Sequence, residues 1–349
     1  MIETNSNPSL TDVEDLGSDN SQLDSIELPA FERLYVFSDS LADPGNIFNT
    51  TKVLQLFGDA LDLDTPITPV SPPYFEGRFT NGLVWVEQLA AELDIDLTPS
   101  TELSVVFPGS EIDFPLTVSL EDEPNLEVSP YFDGNTTDQS INFAFGGAQT
   151  GEGGSGELGD LVPGIQEQVE WFVDDHQLFE QTADSDALYI VAGGTNDYSD
   201  PSVNPEDVVN NLKSEIQSLY DIGARDFLVP NLSDLGELPA TPAELADSLT
   251  NLTEVHNGLL EQTVNELNDS LTGAEIAILD LDFLFDDVLE NPSDYGFTNV
   301  SDPYLDPATL TPTVGADVDE YLFFDEVHPT VAGHEIINDF VLTTLAAEF

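Results

Sequence analysis

Cysteine is absent from the 349 residues. That excludes disulfides, thiolate metal sites and a thiol nucleophile. Positive charge is nearly absent too: five Lys and Arg against 69 Asp and Glu leave a formal net charge of −64. Nucleic-acid binding needs clustered Lys and Arg to neutralise phosphates, so that partner class is excluded. Adsorption to an anionic membrane surface is excluded on the same ground. No run approaches the roughly 18 apolar residues of a membrane-spanning helix. Residues 1–28 lack a basic n-region and an apolar h-region, so no signal peptide of the usual kind is expected. There is no repeat of fixed period, no Gly/Asp nonapeptide calcium repeat and no spaced EF-hand loop.

What remains is long enough for one large α/β domain. Residues 1–28 carry Asp12, Glu14, Asp15, Asp19, Asp24 and Glu27 among Ser and Asn, and read as a disordered acidic arm. Residues 29–349 read as the folded domain. Short apolar runs at 34–37, 187–192, 226–229 and 274–279 are bounded by turn residues, as in strands buried on both faces. Helical spacing alternates with them at 83–93, 165–179, 208–222, 242–271 and 331–347. Asn204-Pro205-Glu206-Asp207 has the make-up of a helix start, and Gly223 of a stop. Alternation of this kind implies a parallel sheet covered on both faces. The stretch 95–139 is rich in Pro, Thr, Ser and acids. It reads as a partly β insertion over the top of the sheet.

Four clusters could carry chemistry. Phe37-Ser38-Asp39-Ser40-Leu41 follows the first strand, where open α/β sheets bind ligands and a serine can act as nucleophile. Ser-Asp-Ser is equally common as a turn or helix cap. Asn142 to Thr150 contains Gly146-Gly147, which lets backbone approach a ligand and aim an N–H at an oxyanion. A tight turn has the same composition. Gly193-Gly194-Thr195-Asn196-Asp197 follows a second strand; Asn196 suits an oxyanion donor, or a cap. Asp325-Glu326-Val327-His328-Pro329 precedes the last helix, with Asp325 close enough to orient the His328 imidazole. The other histidines, His176, His256 and His334, read as surface or packing residues.

Together the clusters supply an acyl-transfer machine. Ser40 would be the nucleophile, His328 the general base and Asp325 its orienting carboxylate. Gly147, Asn196 and the Ser40 N–H would donate to the oxyanion.

The chain resembles the GDSL lipases/esterases of the SGNH hydrolase superfamily. The likeness rests on four blocks, Phe37–Asn46, Asn142–Thr150, Gly194–Asp197 and Asp325–Pro329. Smaller matches lie at Gly77–Gly82, at Asn231–Gly236 and at His256-Asn257. It covers most of the chain from Leu34, least well at 95–139. It implies a three-layer α/β/α sandwich with a flavodoxin-like sheet, no cofactor and no metal. It also implies Ser40, Asp325 and His328 as the triad and Ser40, Gly147 and Asn196 as the oxyanion hole. One position departs: the family's first-block glycine is Ser38. A glycine-only backbone angle there would cost roughly 1–2 kcal/mol or shift the loop.

The expected activity is therefore hydrolysis of carboxylic esters of short to medium acyl length. A phospholipase or lysophospholipase, and a carbohydrate O-deacetylase, are the alternatives within the class. A non-catalytic, cation-loaded surface module is the alternative outside it. An extracellular location is expected, with the cytoplasm of a salt-accumulating halophile as the alternative. Self-repulsion at −64 calls for screening by salt or divalent cations. The melting temperature should accordingly rise with NaCl toward molar levels, or with millimolar calcium. A flat response to both would leave the acids as solubilising groups only.

Overall fold

The computed structural model describes residues 28–61, 66–102, 105–107, 110–112, 139–156, 158–200 and 202–349. Residues 1–27 of the expected acidic arm, and most of the stretch 95–139, lie outside the described residues. Four apolar runs form strands: β1 (Leu34–Phe37), β6 (Leu188–Val191), β7 (Asp226–Pro230) and β8 (Glu275–Leu279). Two further strands, β2 (Leu97–Pro99) and β5 (Ser140–Asn142), complete a six-stranded parallel sheet of order β2-β5-β1-β6-β7-β8. Without its edge strand β2, this is the flavodoxin-like order. The expected placement of 95–139 is corrected in part: Leu97–Pro99 lies in the sheet, beside β5, and not over it. Val105–Phe107 (β3) and Ser110–Ile112 (β4) pair antiparallel as a separate ribbon.

Seven helices are described: α1 (Asn46–Leu61), α2 (Trp85–Glu92), α3 (Ile165–Leu178), α4 (Pro205–Ile222), α5 (Ala246–Ser270), α6 (Leu281–Glu290) and α7 (Val331–Glu348). The start of α4 follows its sequence: the Asn204 side chain accepts the Glu206 N–H, Pro205 opens the helix, and Gly223 at φ 128° ends it. Helices α1 and α6 were not expected from the spacing.

Strand alternation sorts the core into two layers. Tyr35, Phe37, Tyr189, Val191, Phe227 and Val229 face α3, α4 and α5. Leu34, Val36, Leu188, Ile190, Leu228 and Leu279 face α2, α6 and α7. The result is a three-layer α/β/α sandwich. The first face holds an aromatic cluster, with Tyr35, Phe37, Phe143 and Tyr189 all within ring contact of Phe172. Each such ring removes on the order of 150–250 Å² from water. A one-residue slip of β1 would move that burial to the wrong face, so the register that ends at Ser40 is firmly set. No helix among the described residues is long and apolar enough to cross a membrane.

Candidate active site

All four sequence clusters meet beyond the C-terminal ends of the parallel strands. Ser40 lies in the turn after β1. Gly147 follows β5, Asn196 follows β6, and Asp325 and His328 precede α7. Ser40 Oγ is 2.9 Å from His328 Nε2. His328 Nδ1 is 2.9 and 2.8 Å from the two oxygens of Asp325. Asp325 and His328 are linked by a loop and not by a helical turn. Asp325 Oδ1 also accepts the backbone N–H groups of Val327 and His328, at 2.9 and 2.8 Å.

Two partners of this array were not foreseen. The Tyr74 hydroxyl donates to Asp325 Oδ2 at 2.7 Å. The Phe79 ring lies against the imidazole, with centroids 4.9 Å apart. Their neighbours Thr80 and Asn81 tie the same region down: Thr80 Oγ1 donates to the Pro329 carbonyl, and Asn81 Oδ1 accepts the Val331 N–H. Pro72-Pro73-Tyr74 gave no local hint of this role, because its partner is 251 residues away.

The oxyanion candidates divide. Neither the Ser40 N–H nor the Gly147 N–H has a hydrogen-bond acceptor among the described residues. Gly147 sits at φ 89°, which favours glycine, and a Cβ on Gly146 would meet the Phe79 ring at 2.1 Å. The Asn196 amide is already engaged. It donates to the Ala148 carbonyl at 3.0 Å and to Asp39 Oδ2 at 3.3 Å, while its oxygen accepts from Ser155 Oγ.

Buried carboxylates hold these loops in place. Asp43 accepts the N–H groups of Gly45, Asn46 and Ile47 at the start of α1, and the Gly146 N–H from the neighbouring loop. Asp197 accepts both the backbone N–H and the hydroxyl of Thr150. Ser38 brings no strain. It is not among the residues with positive φ, and Gln168 clamps its N–H and carbonyl at 2.9 and 3.0 Å. The glycine in the family pattern is therefore not required here.

The electrostatics follow from burial and partners. Burial pushes the Asp325 carboxyl up, but the charge and hydrogen bonds of His328, with the Tyr74 hydroxyl, outweigh it and hold Asp325 at about 2. Burial pushes His328 down; the Asp325 carboxylate, with Asp39 behind it, raises it on balance above 6.5. Burial lifts Asp39 and Asp43 to about 6 each. Burial and Asp325 keep the Tyr74 phenol far above its ordinary range, so it stays a donor. The remaining histidines are not at the surface. His176 is fully buried against Phe172, His256 bonds the Tyr198 hydroxyl at 2.8 Å, and His334 accepts the Trp85 N–H. Among the described residues no group of three or more His, Asp or Glu side chains is placed to hold a metal.

Beside Ser40 lies a cavity of about 200 Å³, lined by Gly147, Asn196 and His328 and by several apolar side chains. A serine paired with an imidazole at the mouth of such a cavity is the layout of an acyl-hydrolysing enzyme. The model of the GDSL-like lipase/acylhydrolase family matches residues 34–341, and the chain belongs to that family. It is a carboxylic ester hydrolase. Among its relatives is the phosphatidylcholine-sterol acyltransferase of Aeromonas hydrophila, 24% identical, with 91% of this chain and 80% of that one covered. A GDSL esterase/lipase of Arabidopsis thaliana is also 24% identical, over 88% of this chain and 86% of that one. A crystal structure from the lipolytic G-D-S-L family of Veillonella parvula covers 89% of this chain and 96% of its own, at 12% identity and a TM-score of 0.42.

The environments separate the histidines in titration. Burial lowers His256 to about 4; burial, then the charge of His328, lowers His334 to about 3. In an NMR titration, His328 should gain its proton above pH 6.5, while His256 and His334 stay neutral to pH 5. A His328 midpoint below 6.5 would contradict the Asp325 pairing.

Proposed function

We propose that the enzyme cleaves carboxylic esters through an acyl-enzyme on Ser40. The supporting observation is the chain of contacts from Ser40 Oγ through His328 to Asp325. Ser40 Oγ attacks the ester carbonyl carbon as its proton passes to His328 Nε2. Asp325 keeps the Nδ1 proton in place and stabilises the imidazolium. Tyr74 positions Asp325, with its hydroxyl on the oxygen that the backbone donors leave open.

The tetrahedral oxyanion is met by the Ser40 and Gly147 N–H groups, which have no acceptor among the described residues to give up. Asn196 joins by releasing its longer bond, to Asp39, while Ala148 keeps the amide aligned. Collapse breaks the carbon–alkoxy bond, and His328 returns its proton to the leaving alcohol. Water then attacks the acyl-enzyme, gives its proton to His328 and releases the acid, with Ser40 restored. Only neutral His328 can accept the first proton, so kcat/KM falls as the pH drops through the raised imidazole value.

Hydrolysis of p-nitrophenyl acetate, butyrate and hexanoate should be lost by about four orders of magnitude or more in Ser40→Ala. A Ser40→Ala protein that keeps more than a hundredth of the rate would remove the serine mechanism.

A further inference from the structure

Two sequence motifs have no part in the bond-breaking chemistry: Asn231–Gly236 and His256-Asn257. Both act on the wall of the cavity. The Asn231 side chain donates to Asp280 Oδ1 at 2.7 Å and accepts the Asp282 N–H at 3.1 Å, which fastens the loop after β7 to the start of α6. Asn257 clamps the N–H and carbonyl of Leu232 at 3.0 and 2.8 Å. The segment carrying Ser233, Leu235 and Leu238 is thereby tied to α5 and to the start of α6.

That segment supplies much of the cavity's apolar lining. Leu235, Leu238, Leu281, Phe285 and Ile337 all line the space that begins at Ser40. Leu235, Leu281 and Ile337 are almost wholly buried. A second, much smaller cavity, of about 10 Å³, is lined by Leu289 and Phe323, and by the carboxylate-bearing Asp234, Glu237 and Asp286. Ser233, Leu238 and Phe285 line both cavities, so these three side chains stand between them.

We propose that Leu238 and Phe285 form the end wall of an aliphatic-chain pocket and set the chain length of the ester cleaved. This rests on the hydrolase reading above and adds the substrate class to it. An apolar lining favours an alkyl chain over a sugar hydroxyl or a charged headgroup, whose polar atoms would go unpaired there. The acids beyond the wall repel an anionic chain end. A cavity of about 150 Å³ accommodates benzene, so about 200 Å³ takes a chain of roughly six to eight carbons. Each methylene buried should raise kcat/KM roughly three- to fourfold until the pocket is full.

The test compares chain-length profiles of the wild type, Phe285→Ala and Leu238→Trp. One series varies the acyl group, as p-nitrophenyl esters from acetate to palmitate. The other varies the alcohol, as alkyl acetates from ethyl to dodecyl. In one series the wild type should peak near six to eight carbons. Phe285→Ala opens the wall, and should raise the kcat/KM ratio of the twelve-carbon to the six-carbon ester at least tenfold. Leu238→Trp fills the pocket, and should lower the ratio of the eight-carbon to the two-carbon ester by a similar factor. Ratios within one variant are independent of how much of it is folded. A response in the acyl series assigns the pocket to the acid part, and a response in the alcohol series to the leaving group. Ratios within twofold of wild type in both variants and both series would overturn the proposal. A wild type that cleaves no ester in either series would instead overturn the hydrolase reading, and this proposal with it.

Discussion

Ser40 and His328 are 288 residues apart in the chain, and their contact depends on loops that have no regular structure of their own. What fixes those loops is a set of buried side chains that satisfy backbone groups of a neighbouring loop. Asp43 joins the start of α1 to the Gly146–Gly147 turn. Asp197 joins the Asn196 loop to Thr150. Gln168, from α3, grips Ser38 at both its N–H and its carbonyl. Each bond is formed where water is excluded, so a lost partner would leave a buried polar group unsatisfied. The sheet brings the strand ends together; these side chains set the geometry at ångström scale.

The same arrangement divides the acids by role. Asp325 receives donors from backbone, imidazole and phenol, and burial does not prevent it from staying charged. Asp39 and Asp43 have backbone donors too, yet burial lifts both to about 6. Asp325, the carboxylate we propose stabilises the imidazolium, therefore sits where ionisation is best supported. Asp39 and Asp43, with fewer or weaker such donors against their burial, lie closer to protonation.

Much of this was legible in the sequence. The four apolar runs became the adjacent strands β1, β6, β7 and β8, since burial on both faces favours apolar residues. The Ser40, Gly147, Asn196 and Asp325–His328 clusters each lie where a strand ends or a helix begins, and the fold gathers them. β5 escaped because its ends are polar: Ser140 accepts the Leu34 N–H, and Asn142 reaches the Ala42 carbonyl. Helix α1 begins at Asn46, the last residue of the Phe37–Asn46 block, where no helical spacing leads into it. Tyr74 and Gln168 act across 251 and 130 residues, and local patterns carry no sign of such pairs. His176, His256 and His334 read from the sequence as surface or packing residues; all three are buried, by packing that only the fold defines.

The central claim is that Ser40 is activated by His328. A fluorophosphonate reports on this directly, since it bonds to a serine whose proton a neighbouring base removes. Intact-mass and peptide analysis of the treated protein should show one adduct, on Ser40, and none after His328→Ala. An adduct on another residue, or undiminished labelling of Ser40 without His328, would contradict the account.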